Sequence, residues 1–207
     1  MSTGTHEFWY LSRAAGFTAY LLLTTAVVLG LLVHTRLTDR LARRNATYDL
    51  HRFIALLALA FTLFHVYILL GDGYFEFTVR QLSLPFVAPY RPVALAVGVL
   101  ATYGLIVVVA SFYVRHLIGY RAWRALHYAT FVLFVGAAAH GILSGTDSAQ
   151  AWGRAIYLGS AALVCTLVAY RVQADVPDTR AGRLVRLVSA ALVALVASFL
   201  AFTVVLA

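Results

Sequence analysis

The stretch Tyr48–Leu70, YDLHRFIALLALAFTLFHVYILL, reads as one membrane-crossing helix with a histidine near each end. At 1.5 Å per residue it is long enough to span a hydrocarbon core of about 30 Å. His51 and His65 lie 14 residues apart on it. A second apolar segment carries His127 and His140, 13 residues apart. A histidine inside a membrane segment is costly unless it has a partner, so each is a candidate functional residue. Two segments, each with a histidine near either end, offer two axial nitrogens at each of two depths. Two stacked bis-histidine haems require that arrangement, since neutral imidazole is the usual ligand of haem iron and helps set its potential.

The rest of the chain agrees with a membrane setting. It has 207 residues, of which 62% are hydrophobic and 12% charged, with a mean hydropathy of +0.86. A soluble domain of this size has no way to hide so much apolar surface, so the class is integral membrane and all-α. The single cysteine, Cys165, excludes an intrachain disulfide. All sixteen basic residues are arginine and the net charge is +8. They cluster in particular loops and report topology; no nucleic-acid patch forms. Met1–Phe8 lacks a basic n-region and the apolar run after it is too long for a signal peptide, so it is expected to be the first membrane helix.

Six segments are predicted to span: Trp9–His34, Tyr48–Leu70, Pro92–Arg115, Trp123–Leu143, Trp152–Arg171 and Leu184–Ala207. Trp9, Trp123 and Trp152 mark segment starts, as an interfacial belt does. Pro85, Pro89 and Pro92 interrupt the connection before the third segment, and Pro177 the one before the sixth. The expectation is a single transmembrane domain over residues 1–207. It is a six-helix bundle with two stacked b-type haems between the second and fourth helices.

Arginine counts orient the bundle. Arg36, Arg40, Arg43, Arg44, Arg52, Arg115, Arg121, Arg124, Arg171, Arg180, Arg183 and Arg186 fall on one side; Arg13, Arg80, Arg91 and Arg154 fall on the other. Twelve against four makes the first side cytoplasmic, with both termini outside. His51 and His127 are then level near the cytoplasmic face, and His65 and His140 near the outer face. The two levels are separated by ~20 Å. One detail resists. Fourteen residues leave His51 and His65 only ~40° apart around a straight helix, but thirteen leave His127 and His140 ~140° apart. The fourth helix is therefore expected to bend or rewind, with Gly136 the candidate, or to present its histidines from two flanks.

Gly119-Tyr-Arg-Ala-Trp-Arg-Ala-Leu-His127-Tyr, followed by Ala139-His140-Gly141 and Gly145-Thr-Asp147, resembles the ferric reductase-like transmembrane domain, as does His51-Arg52. That family includes NADPH oxidases, ferric reductases and the haem membrane subunit of bacterial methionine sulfoxide reductases. The resemblance covers roughly residues 14–147, with residues 148–207 adding two further helices. It implies a two-haem b-type cytochrome moving electrons across the membrane, with His51, His65, His127 and His140 as iron ligands. Quinol-oxidising cytochromes b share the layout but are less similar around Trp123 to His127. The chain departs from the oxidases and ferric reductases in having no G-x-G-x-x-G after a strand and no residues for a Rossmann unit, so no FAD or NAD(P) site is expected. The expected donor is a separate flavoprotein reductase or quinol. The acceptor is ferric iron, oxygen or a partner protein on the extracytoplasmic side, the last as in a two-component periplasmic methionine sulfoxide reductase.

Other residues carry weaker expectations. Gly16 and Gly30, 14 apart on the first segment, would let haem faces pack closely, or are ordinary membrane-helix glycines. Arg52 and Arg124 flank the cytoplasmic histidines and suit cytoplasmic-side propionates, or plain positive-inside bias. Arg80, Arg91 and Arg154 lie where that bias does not explain them, and at least one is expected to meet an outer propionate or an anionic substrate. Asp72, Glu76 and Asp147 read as solvated loop charges. His6, His34 and His116 read as surface or interfacial histidines. The competing functions are a proton conduit or transporter with relaying histidines, and an anchor with structural ones. An absorption spectrum separates these from a cytochrome.

Overall fold

The computed structural model describes residues 4–35, 43–73, 75–177 and 179–206. It is all-helical, with no strand among the described residues. The helices are α1 (Gly4–Thr35), α2 (Arg44–Leu69), a short α3 (Val79–Ser83), α4 (Pro92–Tyr113), a single turn α5 (Arg115–Ile118), α6 (Tyr120–His127), α7 (Ala129–Ser144), α8 (Ala151–Asp175) and α9 (Arg180–Leu206). A 3-10 turn, Asp147–Ala149, leads into α8. Among the described residues, six helical stretches are long and apolar enough to cross a membrane: Glu7–Thr35, Arg44–Leu69, Pro92–Tyr113, Tyr120–Ser144, Ala151–Ala174 and Arg180–Phe199. They match the six predicted segments with shifted ends.

Local chemistry sets several boundaries. Pro92 occupies the first turn of α4, where its missing N–H costs nothing, and Arg91 before it turns the chain in the left-handed region at φ 40°. Thr78 and Gln81 close a reciprocal capping box on α3. The fourth span is two helices rather than one. The break falls at Tyr128, whose N–H is shared between the carbonyls of Arg124 and Ala125, both at 3.2 Å, while Phe131 N–H bonds back to Tyr128 at 3.2 Å. Such i→i−3 bonds tighten the winding locally. Gly136, the expected site of the irregularity, instead lies within α7, where an added Cβ would meet Val97 Cγ1 at an ordinary 3.6 Å. The 13-residue spacing thus arises beside His127 itself.

α1 is the central helix. It packs along α2 and also meets α7 and α8, while α4 packs along α7 and α9 along α8. One apolar cluster joins α1, α7 and α8 through Tyr20, Val27, Leu31, Phe134, Ala138, Ile142, Tyr157, Ala161 and Val164. A smaller one, Leu23, Ala58 and Leu105, ties α1, α2 and α4 together at mid-depth. Phe53, Leu56, Leu63, Phe64 and Tyr67 on α2, and Leu187, Leu195 and Phe202 on α9, are exposed, as lipid-facing side chains are.

Candidate functional site

His51 and His65 project from α2, His127 ends α6, and His140 sits in α7. Three of the four are held by one repeated device. His65 Nδ1–H donates to the Ser12 carbonyl, His51 Nδ1–H to the Ala26 carbonyl, and His140 Nδ1–H to the Ala94 carbonyl, each at 2.8 Å. Four residues after each acceptor stands a glycine: Gly16, Gly30 and Gly98. A side chain in a helix leans over the preceding turn, so a residue at that place would cover the carbonyl. Glycine leaves it open, and the imidazole lies in the notch. A Cβ added at Gly16 would be 3.2 Å from His65 Nδ1, one at Gly30 3.3 Å from His51 Cε1, and one at Gly98 2.5 Å from His140 Nδ1. Gly16 and Gly30 therefore seat histidine rings. A carbonyl only accepts, so each bond places the proton on Nδ1 and leaves Nε2 with its lone pair.

His127 is the exception. The register-equivalents of Ala94 and Gly98, fourteen residues along α4, are Val108 and Phe112. The Val108 carbonyl already accepts from Ser111 Oγ at 2.7 Å, and Phe112 stands where the other three places have glycine. Among the described residues no hydrogen bond to either His127 nitrogen is found. Its ring stacks on Trp123 instead, with centroids 5.3 Å apart and planes 24° apart.

Each histidine pair borders a cavity. His65 and His140 line one of about 1170 Å³ at the arginine-poor end, and His51 and His127 one of about 470 Å³ at the arginine-rich end. Leu23 and Leu105 line both, so with Ala58 they form the wall between them.

The arginines sort differently from expectation. Arg44, Arg52, Arg124 and Arg171 line the smaller cavity. Arg52 lies 3.9 Å from Asp49 and 4.7 Å from the Phe112 ring. Arg124 Nε and Arg171 both donate to the Tyr128 hydroxyl, at 3.3 and 3.2 Å. In the larger cavity the lining arginine is Arg13. It forms a two-point ion pair with Asp147, its Nε donating at 2.8 Å, and lies 4.1 Å from the centre of the Trp9 ring. Arg80 is exposed, Arg91 donates to the Leu143 carbonyl and Arg154 to that of Ser148 at 3.1 Å; none of the three lines the cavity. Asp147 and Asp72 are buried and border the larger cavity, contrary to the expectation of solvated charges, whereas Glu76 is exposed. His34 is exposed at the smaller cavity's mouth and His116 is exposed; the side chain of His6, like Arg36 and Arg40, lies outside the described residues.

These features fit a group that carries its own equatorial nitrogens. The His51 and His127 ring centres are 6.1 Å apart, which leaves room for one metal atom at the about 2 Å an imidazole nitrogen keeps from a bound metal. Among the described residues no three His, Cys, Asp or Glu side chains gather as a bare ion would need. Trp123, which lines the smaller cavity, carries a buried Nε1–H with no hydrogen-bond partner among the described residues.

The sequence matches the family model for the ferric reductase-like transmembrane component over residues 15–138, more than half of the chain. The chain belongs to that family. No curated protein and no solved structure matches it. As a ferric reductase-like component it is a multi-pass membrane protein of a transmembrane electron-transfer family whose domains are generally haem-binding. The match spans α1, α2, α4 and α6 and reaches into α7, taking in His51, His65 and His127 and stopping short of His140. Sequence reasoning missed Gly98, Arg13 as a cavity residue, and Arg171. Gly98 carried one usable signal, a glycine fourteen residues before Phe112 on a helix antiparallel to a histidine segment.

Proposed function

We propose that the chain is a transmembrane di-haem b-type cytochrome that passes electrons from a cytoplasmic flavoprotein or quinol to an extracytoplasmic acceptor. One observation carries the reading: two histidine pairs border two cavities at different depths, and three of the four rings are clamped at Nδ1 with Nε2 left for a metal. His51 and His127 would hold one haem, His65 and His140 the other. Haem held so supplies reversible one-electron chemistry. The residues here orient the ligands, exclude water with Leu23, Ala58 and Leu105, and offer cations to propionates: Arg52, Arg124 and Arg171 in one cavity, Arg13 in the other. Family members typically work with a separate reductase or redox partner, which supports an external donor. The arginine distribution supports a cytoplasmic His51–His127 end with both termini outside. Purified protein should contain two low-spin haems b per chain by pyridine haemochrome assay. His65→Ala or His140→Ala should lose one, and His51→Ala or His127→Ala the other. One haem or none in the wild type would overturn the reading.

A further inference from the structure

We propose that Trp123 is the positioning residue for His127, replacing the carbonyl clamp that the other three histidines have and making the His51–His127 site the less tightly held of the two. The inference rests on the haem reading above. Its basis is the broken repeat. Ser12 with Gly16, Ala26 with Gly30 and Ala94 with Gly98 each present an open carbonyl to an imidazole. The fourth place in the pattern is filled by Val108, whose carbonyl is taken by Ser111, and by Phe112, whose ring packs 6.3 Å from that of Trp123. His127 thus has no bond that chooses between its two nitrogens. A ring without such a bond can turn about its Cβ–Cγ axis and withdraw Nε2 from the cavity.

The face of Trp123 restricts that turn. The residue stands one helical turn before His127 on α6, so both rings lie on the same side of the helix. Offset stacking at 5.3 Å and 24° sets the imidazole plane, 80° from that of His51. The winding tightens at Tyr128, directly after His127, and Thr130 Oγ1 of α7 donates to the His127 carbonyl at 2.8 Å, which holds the backbone but leaves the ring to its stacking partner. Trp123 lines the same cavity, and its buried Nε1–H has no hydrogen-bond partner among the described residues.

The test compares Trp123→Leu, Trp123→Phe and wild type as full-length, haem-loaded protein. Retention is followed by haem transfer to apomyoglobin, and iron coordination by the carbon monoxide difference spectrum, because carbon monoxide binds only where an axial position opens. Trp123→Leu should lose one of its two haems about tenfold faster, the scale typical of an outer-shell partner, and should bind carbon monoxide at that haem alone. Trp123→Phe, which keeps a stacking face, should restore both properties. Trp123→Leu with wild-type retention and no carbon monoxide band overturns the inference, as does a Trp123→Phe variant that behaves like Trp123→Leu. In both cases a two-haem wild type leaves the haem reading standing. A wild type with no b-type spectrum overturns both.

Discussion

The glycines under the histidines set a graded test. Gly98→Ala places a Cβ 2.5 Å from His140 Nδ1, 2.6 Å from Cε1 and 2.9 Å from Cγ, and that ring is pinned by the Ala94 carbonyl. Overpacking of this kind costs about 1–3 kcal/mol, and here the strain falls on a ligand. Gly98→Ala should therefore reduce haem content from two to one. Gly16→Ala and Gly30→Ala meet their rings at 3.2 and 3.3 Å and should weaken retention without abolishing it. Gly136→Ala, with ordinary contacts of 3.6 and 3.9 Å, should be neutral. Haem-to-protein ratios rank the four. The Arg13–Asp147 pair sets a second test. A cation near a haem disfavours the ferric state, so Arg13→Gln should lower the potential of the His65–His140 haem. Asp147→Asn unmasks the guanidinium and should raise it. Each shift is expected on the order of 59 mV, equivalent to about 1.4 kcal/mol for one electron. Redox titration reads both; shifts of the same sign would remove Arg13 from the electrostatics of that site.

The helices differ in how far a sequence discloses them. The spans were legible because hydropathy is local and each segment carries its own signal, with Pro92 and Trp152 near the observed starts of α4 and α8. The histidine pairs were legible because a polar ring in an apolar run stands out. The break at Tyr128 was not. It leaves no proline or glycine mark, and follows from hydrogen bonds shared among Arg124, Ala125 and Phe131. Arg13 and Asp147 are 134 residues apart, and His140 and the Ala94 carbonyl 46, so only the assembled bundle pairs them. The break itself predicts a behaviour. Inserting one alanine between Tyr128 and Ala129 should turn α6 by about 100° relative to α7. His127 then leaves its cavity while His140 keeps its notch. The expected product retains one haem, bound by His65 and His140; retention of both would show that α6 adjusts independently of α7.

At the scale of the molecule, the six helices long and apolar enough to cross a membrane among the described residues would, if all cross, place both ends on one side. Arg43, Arg44, Arg115, Arg121, Arg124, Arg171, Arg180, Arg183 and Arg186 gather at one end, where Arg171 from α8 reaches Tyr128 and Arg52 from α2 reaches Phe112. A reporter active only in the cytoplasm, fused after Ala207, should stay silent; strong activity would reverse the proposed direction of electron flow.

The wall of Leu23, Ala58 and Leu105 contains no group that can bind or release a proton. On the proposed di-haem reading, an electron crossing it would separate charge across the bilayer, and each crossing would be electrogenic. The protein would then work as a current source across the bilayer. The membrane voltage adds or subtracts about 2.3 kcal/mol per charge for each 100 mV spanned. An interior-negative voltage drives electrons outward and an interior-positive one stalls them, whatever the chemistry of the acceptor.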